Sequence, residues 1–236
     1  MGMISKFFYQ KKIKIISREE LKAGDHIFSW RKAKTYSHHG IYMGDDQVIH
    51  FTGQKPEIRN FWDKITSGSL MNHGGGKNHK LCPNCGDQSN LDGVVSSCLD
   101  CFLKGGDLYR FEYSACPVDF LYKSRRGTCT TAPSDPCDEV IYRAKFLLLH
   151  NGFGAYHAVE NNCEDFAVYC KTSVLVGKKV WFGRTGQANL LSVSGLISQV
   201  IWPPLSDVIS SIADMRLRFG AGKVSVESLV ARSNEI

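Results

Sequence analysis

Apolar and polar positions alternate over several short stretches and then switch to a helical repeat; those switches predict the elements. His26-Ile27-Phe28-Ser29-Trp30 follows Gly24-Asp25 and alternates as a strand does. Residues 36–51 read as a hairpin. Ile41 and Met43 alternate with Tyr42, Gly44-Asp45-Asp46 turns the chain, and Val48-Ile49-His50-Phe51 returns. Leu108 to Tyr113 reads as a strand that rejoins the same sheet. Val140, Ala144, Leu147 and Leu148 recur at helical spacing, with Asp138 and Glu139 in the first turn and Gly152-Phe153-Gly154 at the end. A further helix is predicted from Cys163 to about Thr172, and Ser17 and Glu20 stand at capping-box spacing before a short turn. The fold class is therefore α+β: an antiparallel sheet that carries histidines, packed on the helix that begins at Cys163.

That helix start is where the chain's chemistry concentrates. Asn161 or Asn162 can cap the first turn, because a short polar side chain accepts from the unpaired N–H groups there. Glu164 and Asp165 suit the positive end of the helix dipole, and Phe166, Ala167, Val168 and Cys170 form an apolar stripe. Cys163 thus occupies a helix N-terminus, a place that favours thiolate over thiol. A cysteine nucleophile needs an imidazole to take its proton and a polar group to orient that imidazole. His39 and His50 come from neighbouring strands of the hairpin. His38 and His39 are adjacent, so they point to opposite faces of the strand, and only one can face Cys163. His50 either orients its neighbour or fills space beside it. Cys170, two turns beyond Cys163, reads as core; His26 reads as a strand-surface residue; His157 is a rival base close to Cys163 in sequence.

Two short hooks carry a second chemistry. Cys82-Pro83-Asn84-Cys85 and Cys98-Leu99-Asp100-Cys101 are separated by 12 residues. Four thiolates at this spacing suit a closed tetrahedral Zn²⁺ site, which folds its surroundings and leaves no position open for water. Gly74-Gly75-Gly76 and Gly105-Gly106-Asp107 bracket the segment, so a zinc-binding insertion is expected over 77–106. His73 and His79 read as solvated loop residues, Trp62 and Ile65 as anchors of the loop before the insertion, and Cys116, Cys129 and Cys137 as packing thiols.

Composition narrows the setting. The nine cysteines are an odd number and no secretory signal is seen, so a reducing, cytoplasmic compartment is expected. A net charge of +6 suits solvated surface lysines or an anionic membrane surface, and no motif supports nucleic-acid binding. Residues 1–16 mix Lys6, Lys11, Lys12 and Lys14 with Phe7, Phe8 and Ile13, as an arm. Residues 188–206 hold no formal charge over 19 positions, but four serines and Pro203-Pro204 make them a poor match to the roughly 20 apolar residues of a spanning helix. An interfacial helix in a tail over 177–236, making peripheral membrane contact, is the expectation.

Leu21-Lys22-Ala23-Gly24-Asp25-His26-Ile27, Ser37-His38-His39-Gly40-Ile41-Tyr42, Val48-Ile49-His50-Phe51 and Asn161-Asn162-Cys163-Glu164-Asp165-Phe166 together resemble the lecithin:retinol acyltransferase-like family, in its plant lead-sensitivity-type form. The resemblance covers a catalytic domain over 17–176. It implies a permuted papain-like fold, in which the base precedes the nucleophile. It also selects His39 as base to Cys163, with His50 beside it. The implied activity is a thiol acyltransferase or phospholipase that takes a glycerophospholipid as acyl donor through an acyl-cysteine, without an organic cofactor. The same residues would serve a cysteine peptidase or amidase, and a non-enzymatic zinc-containing interaction protein is the third reading.

Overall fold

The computed structural model describes residues 14–31, 36–53, 82–88, 91–115, 128–157, 161–175 and 222–233. Five antiparallel strands form one sheet: β1 (His26–Arg31), β2 (Tyr36–Gly44), β3 (Gln47–Thr52), β4 (Gly93–Cys98) and β5 (Tyr109–Arg110), in the order β4-β3-β2-β1-β5. The β2–β3 connection is a two-residue turn in which Asp45 and Asp46 both take positive φ, 48° and 57°. That backbone matches the right-handed twist of the strands it joins, and Asp is among the residues that tolerate it. The predicted hairpin is thus present with its predicted turn.

Register sorts the side chains onto two faces. Phe28 opposes His39 and Ser29 opposes His38 on β1–β2; Gly40 opposes His50 on β2–β3. Cross-strand partners share a face, so His26, Phe28, His39, Ile41, Ile49 and Phe51 lie on one side and Ile27, Ser29, Arg31, His38, Val48 and His50 on the other.

The first face carries α2 (Cys137–His150) and α3 (Cys163–Thr172). Ile41, Ile49, Phe51, Val140, Ala144, Leu147, Phe166, Ala167 and Tyr169 form its core. The Phe51, Phe153 and Phe166 rings meet at centroid distances of 5.2, 5.4 and 6.3 Å. The second face carries α1 (Leu99–Leu103), whose Leu99, Phe102 and Leu103 pack on Ile27 and Val48. Gly40 makes this close approach feasible: a Cβ there would lie 2.8 Å from Val48 Cγ1 and 3.0 Å from the Phe102 ring. Ser17 precedes a 3₁₀ turn over Arg18–Glu20 rather than an α-helix, and it makes no side-chain cap.

Two features bear on the layout. The second cysteine hook adjoins the sheet: Cys98 ends β4 and Cys101 lies in α1. Part of the 177–236 tail packs on the core. In α4 (Val226–Ser233), Val226 and Val230 join the α2–α3 core, and Lys223 bridges to Val174 just past α3. Residues 1–13 of the arm, the 188–206 stretch, Cys116, His73, His79, Trp62 and Ile65 lie outside the described residues. Among the described residues no helix is long and apolar enough to cross a membrane.

Candidate active site and metal centre

Cys163 is the first residue of α3, and the cap that defines this start is complete. Asn162 Oδ1 accepts from the N–H groups of Glu164 (2.9 Å) and Asp165 (3.2 Å), and Asp165 Oδ2 accepts from the Asn162 N–H (3.0 Å). Asn162 therefore makes the cap foreseen for this stretch, and Asp165 completes it reciprocally. The cap consumes the amides of Glu164 and Asp165, and that of Phe166 donates to the Asn162 carbonyl.

The thiol is 1 % exposed and donates to the Ser37 carbonyl at 3.8 Å. The direction of that carbonyl fixes where the sulfur sits. Tyr42 exchanges main-chain hydrogen bonds with Gly24 and Asp25 on the β1 side. Main-chain groups alternate sides along a strand, so those of Ser37 face the β3 side. There the β2–β3 ladder closes at Gly40–His50. Cys163 thus takes the place beside Ser37 that a continued β3 would fill, in the plane of the sheet, with His38 on one face and His39 on the other. Tyr156 completes the setting: its hydroxyl hydrogen-bonds Cys163, and burial, then the Cys163 charge, push its pKa well above the ordinary phenol value. Gly53 makes room for it, since a Cβ there would lie 2.8 Å from the Tyr156 ring.

The two faces carry two separate hydrogen-bond chains. On the α3 face, His39 Nε2 lies 2.7 Å from Ser37 Oγ and Nδ1 lies 2.9 Å from His26 Nε2; His26 Nδ1 lies 2.9 Å from the Tyr113 hydroxyl. Both nitrogens of His39 are engaged, and the ring is fully buried between Phe28 and His26. Burial and then the Arg31 charge lower its pKa to about 3. On the opposite face, His38 Nε2 lies 3.0 Å from His50 Nδ1, and His50 Nε2 lies 3.0 Å from Ser97 Oγ. The Phe102 ring roofs this pair, with centroids 5.3 and 5.5 Å away. His38 is half-buried, and among the described residues its Nδ1 has no hydrogen-bond partner. Burial, then His50 and Arg31, lower the pKa of His38 well below its ordinary value. Burial, then Lys104 and Arg31, bring His50 to about 3. All three imidazoles are therefore neutral near pH 7.

The structure thus brings Cys163 beside β2 as expected but pairs the histidines differently. His50 does not orient His39: the two project from opposite faces, and the partner of His50 is His38. Sequence reading missed His26, Ser37, Ser97, Tyr113 and Tyr156 as contributors. Cys170 is core, its thiol pushed up by burial. His157 is exposed, its main chain bridging to Asn161.

Cys82, Cys85, Cys98 and Cys101 converge so that all four sulfurs lie within 4.8 Å of one another. Three separations are 3.7 Å (82–98), 3.6 Å (85–98) and 3.4 Å (85–101). A tetrahedral site with metal–sulfur bonds of ~2.3 Å has sulfur–sulfur edges of about 3.8 Å, so the donor set fits a tetrahedral metal ion. The Asn84 and Cys85 amides face the Cys82 sulfur and hold its thiol at about 6. The Cys101 amide donates to Cys98 Sγ at 3.5 Å.

A five-strand antiparallel sheet, a helix opening on a buried cysteine and histidines on the adjoining strand define a protein of the lecithin retinol acyltransferase family. The chain belongs to it: the family model matches residues 19–176. It is also 44% identical over 234 residues, 92% of this chain and 89% of the relative, to Protein LEAD-SENSITIVE 1 of Arabidopsis thaliana. Family membership suggests acyltransferase- or phospholipase-type activity on lipid substrates.

Proposed function

We propose that this protein transfers or hydrolyses the acyl group of a glycerophospholipid through a thioester on Cys163. The observation that supports this reading is the buried Cys163 thiol at the start of α3, hydrogen-bonded to the Ser37 carbonyl of the strand that carries His38 and His39 on its two faces. Of the two flanking rings, the geometry favours His38 as base over the His39 that family resemblance selected. His38 keeps Nδ1 available while His50 holds its Nε2, and Ser97 holds His50 in turn. His39 has both nitrogens committed.

In the first half-reaction His38 Nδ1 takes the Cys163 proton as the sulfur attacks the ester carbonyl carbon. The Tyr156 hydroxyl, which hydrogen-bonds Cys163, is read as a donor to the oxyanion. Collapse breaks the ester C–O bond, and the imidazolium returns the proton to the departing lysophospholipid alcohol. Water, an alcohol or an amine then attacks the thioester, giving its proton to His38 and releasing the Cys163 thiol. With neutral imidazoles at rest, His38 is able to accept the thiol proton as the sulfur attacks.

The four-cysteine site is read as structural Zn²⁺. A closed set of four sulfurs would hold β4 and α1 in place and would supply no chemistry to the acyl transfer. The apolar 188–206 stretch is read as a contact with the lipid surface that delivers the substrate.

Incubation with an acyl-labelled phospholipid, followed by mass spectrometry of the Cys163 peptide, tests this reading. A hydroxylamine-labile acyl adduct on Cys163 is the expected product. Its absence together with cleavage of peptide substrates would establish an amidase or peptidase instead. Absence of both would leave the protein a non-enzymatic, metal-stapled interaction module.

A further inference from the structure

Arg31 differs from the other buried or bridging arginines among the described residues. Arg18 meets Asp100 and Asp46, Arg110 meets Asp25 (3.0 Å) and Arg143 meets Asp135 (2.6 Å). Lys14 and Lys223 likewise have carboxylate partners. Arg31 has none among the described residues. Its Nη1 donates to the Leu103 carbonyl at 2.7 Å and its Nη2 to that of Phe102, contacts that fix the guanidinium against the end of α1 without neutralising it. Three of its five N–H donors remain for another acceptor.

Its surroundings are cationic. Lys104, the left-handed cap residue of α1, follows directly after the carbonyls that hold Arg31, and it too lacks a carboxylate partner among the described residues. The two charges oppose each other: burial and then Arg31 lower the Lys104 pKa. Arg31 shares its sheet face with His38, one strand pair along, and the Cys163 thiol lies within its electrostatic reach. Two like charges held near Cys163, with no carboxylate partner among the described residues, repel one another at a cost to the fold. A bound anion relieves that repulsion.

We propose that Arg31 and Lys104 form a phosphate-binding subsite that seats the phosphodiester of the glycerophospholipid donor beside Cys163. This rests on the proposed acyl chemistry and adds which part of the donor the protein recognises. Arginine suits this task because its planar fork meets two phosphate oxygens at once, while lysine adds a flexible point charge. The neutral His38–His50 pair beneath them keeps the base uncharged, so it competes with neither cation for the phosphate.

The test compares two donors with one acyl chain in common, a phosphatidylglycerol and a diacylglycerol, on full-length protein. Acylation of Cys163 is followed for wild type, Arg31→Gln, Arg31→Lys and Lys104→Gln. For the phospholipid, KM is expected to rise roughly tenfold in either glutamine variant, about the effect of one charge-assisted contact, with Arg31→Lys between. Diacylglycerol acylation should be unchanged. Equal loss with both donors would overturn the proposal, since Arg31 would then serve the reaction centre or the fold.

A catalysis-free arm separates this from the acyl reading. ³¹P line broadening of sn-glycero-3-phosphoglycerol by the protein should weaken in Arg31→Gln and Lys104→Gln, and inorganic phosphate should compete. Broadening unaffected by either variant overturns the subsite even if acyl-Cys163 forms. Broadening lost in the variants upholds it even if no acyl-enzyme is found. A response to inorganic phosphate but not to the glycerol diester would make this a free-phosphate site and would also overturn it.

Discussion

His38 Nε2 lies 3.0 Å from His50 Nδ1, across a sheet face that carries neither α3 nor His39. The pair stands on Ser97 and beneath Phe102, so four residues from β2, β3, β4 and α1 share one hydrogen-bonded, aromatic-roofed cluster. Breaking the His50 link should leave His38 in place but poorly oriented. His50→Ala is therefore expected to lower the rate of Cys163 acylation by about 10²-fold with a smaller change in KM, at the low end of what a positioned base contributes. Ser97→Ala, one bond further out, should lower it less. Rapid-quench measurement of acyl-Cys163 checks both; equal effects on rate and KM would contradict the orienting role.

Buried neutral histidines make the fold sensitive to acid. The unfolded chain takes up protons below about 6.5, the ordinary histidine value, whereas His39 and His50 resist protonation down to about 3. The unfolded state therefore binds more protons throughout that window, and stability falls as pH falls. Each histidine steepens the fall by at most about 1.4 kcal/mol per pH unit. Urea midpoints should drop between pH 7 and pH 5, and His39→Gln should flatten the slope while lowering the plateau. A midpoint constant over that range would contradict the burial of these rings.

The four-sulfur centre ties the end of β4 to α1, and α1 supplies the Phe102 roof. The four sulfurs could hold one metal ion per chain, proposed above to be Zn²⁺. Its removal by a chelator, or Cys82→Ser, should lower Tm and raise hydrogen exchange in β4 and α1 first, with β1 and α3 later. Elemental analysis alongside exchange mass spectrometry checks this. Unchanged exchange in β4 after complete metal loss would contradict it.

Asn162 is fully buried and caps α3 at Cys163. Asn162→Ala should cost about 1–2 kcal/mol of stability, and Asn162→Ser less, because a hydroxyl can still accept from the first turn. Gly40→Ala should cost about 1–3 kcal/mol by driving a methyl group into Val48, Phe102 and His50. It should slow acylation as well, because the His50 ring would have to move. Denaturant titration paired with the acylation assay separates the two effects.

Much of this was legible in the sequence because it depends on local rules. The hairpin follows from alternation plus a turn dipeptide that tolerates positive φ. The start of α3 follows from an Asn cap with acidic residues in the first turn, and its residues 163–172 fall where the pattern ended. Long-range geometry was not legible. Alternation shows that His38 and His39 oppose each other, but not that the sulfur lies in the sheet plane between them. That depends on where the β2–β3 ladder ends and on which way the Ser37 carbonyl points. His26 reaches His39 only because register sets them on one face of neighbouring strands. The strand Gly93–Cys98 was hidden because its last residue is a metal-ligand candidate, which made the whole segment read as an insertion. The return of Val226 and Val230 to α2 is a tertiary contact that an uncharged, serine-containing stretch before it gave no reason to expect.

The account turns on Cys163 acting as nucleophile with His38, rather than His39, as its base. Single-turnover acylation by a labelled phospholipid, compared between His38→Ala and His39→Ala proteins shown to be folded by circular dichroism, tests this most directly. The predicted result is an acylation rate at least about 10²-fold lower in His38→Ala, with His39→Ala retaining most of the rate at reduced stability. Full acylation in His38→Ala together with its loss in folded His39→Ala would contradict the account and would route the proton through Ser37 to the other face of the sheet.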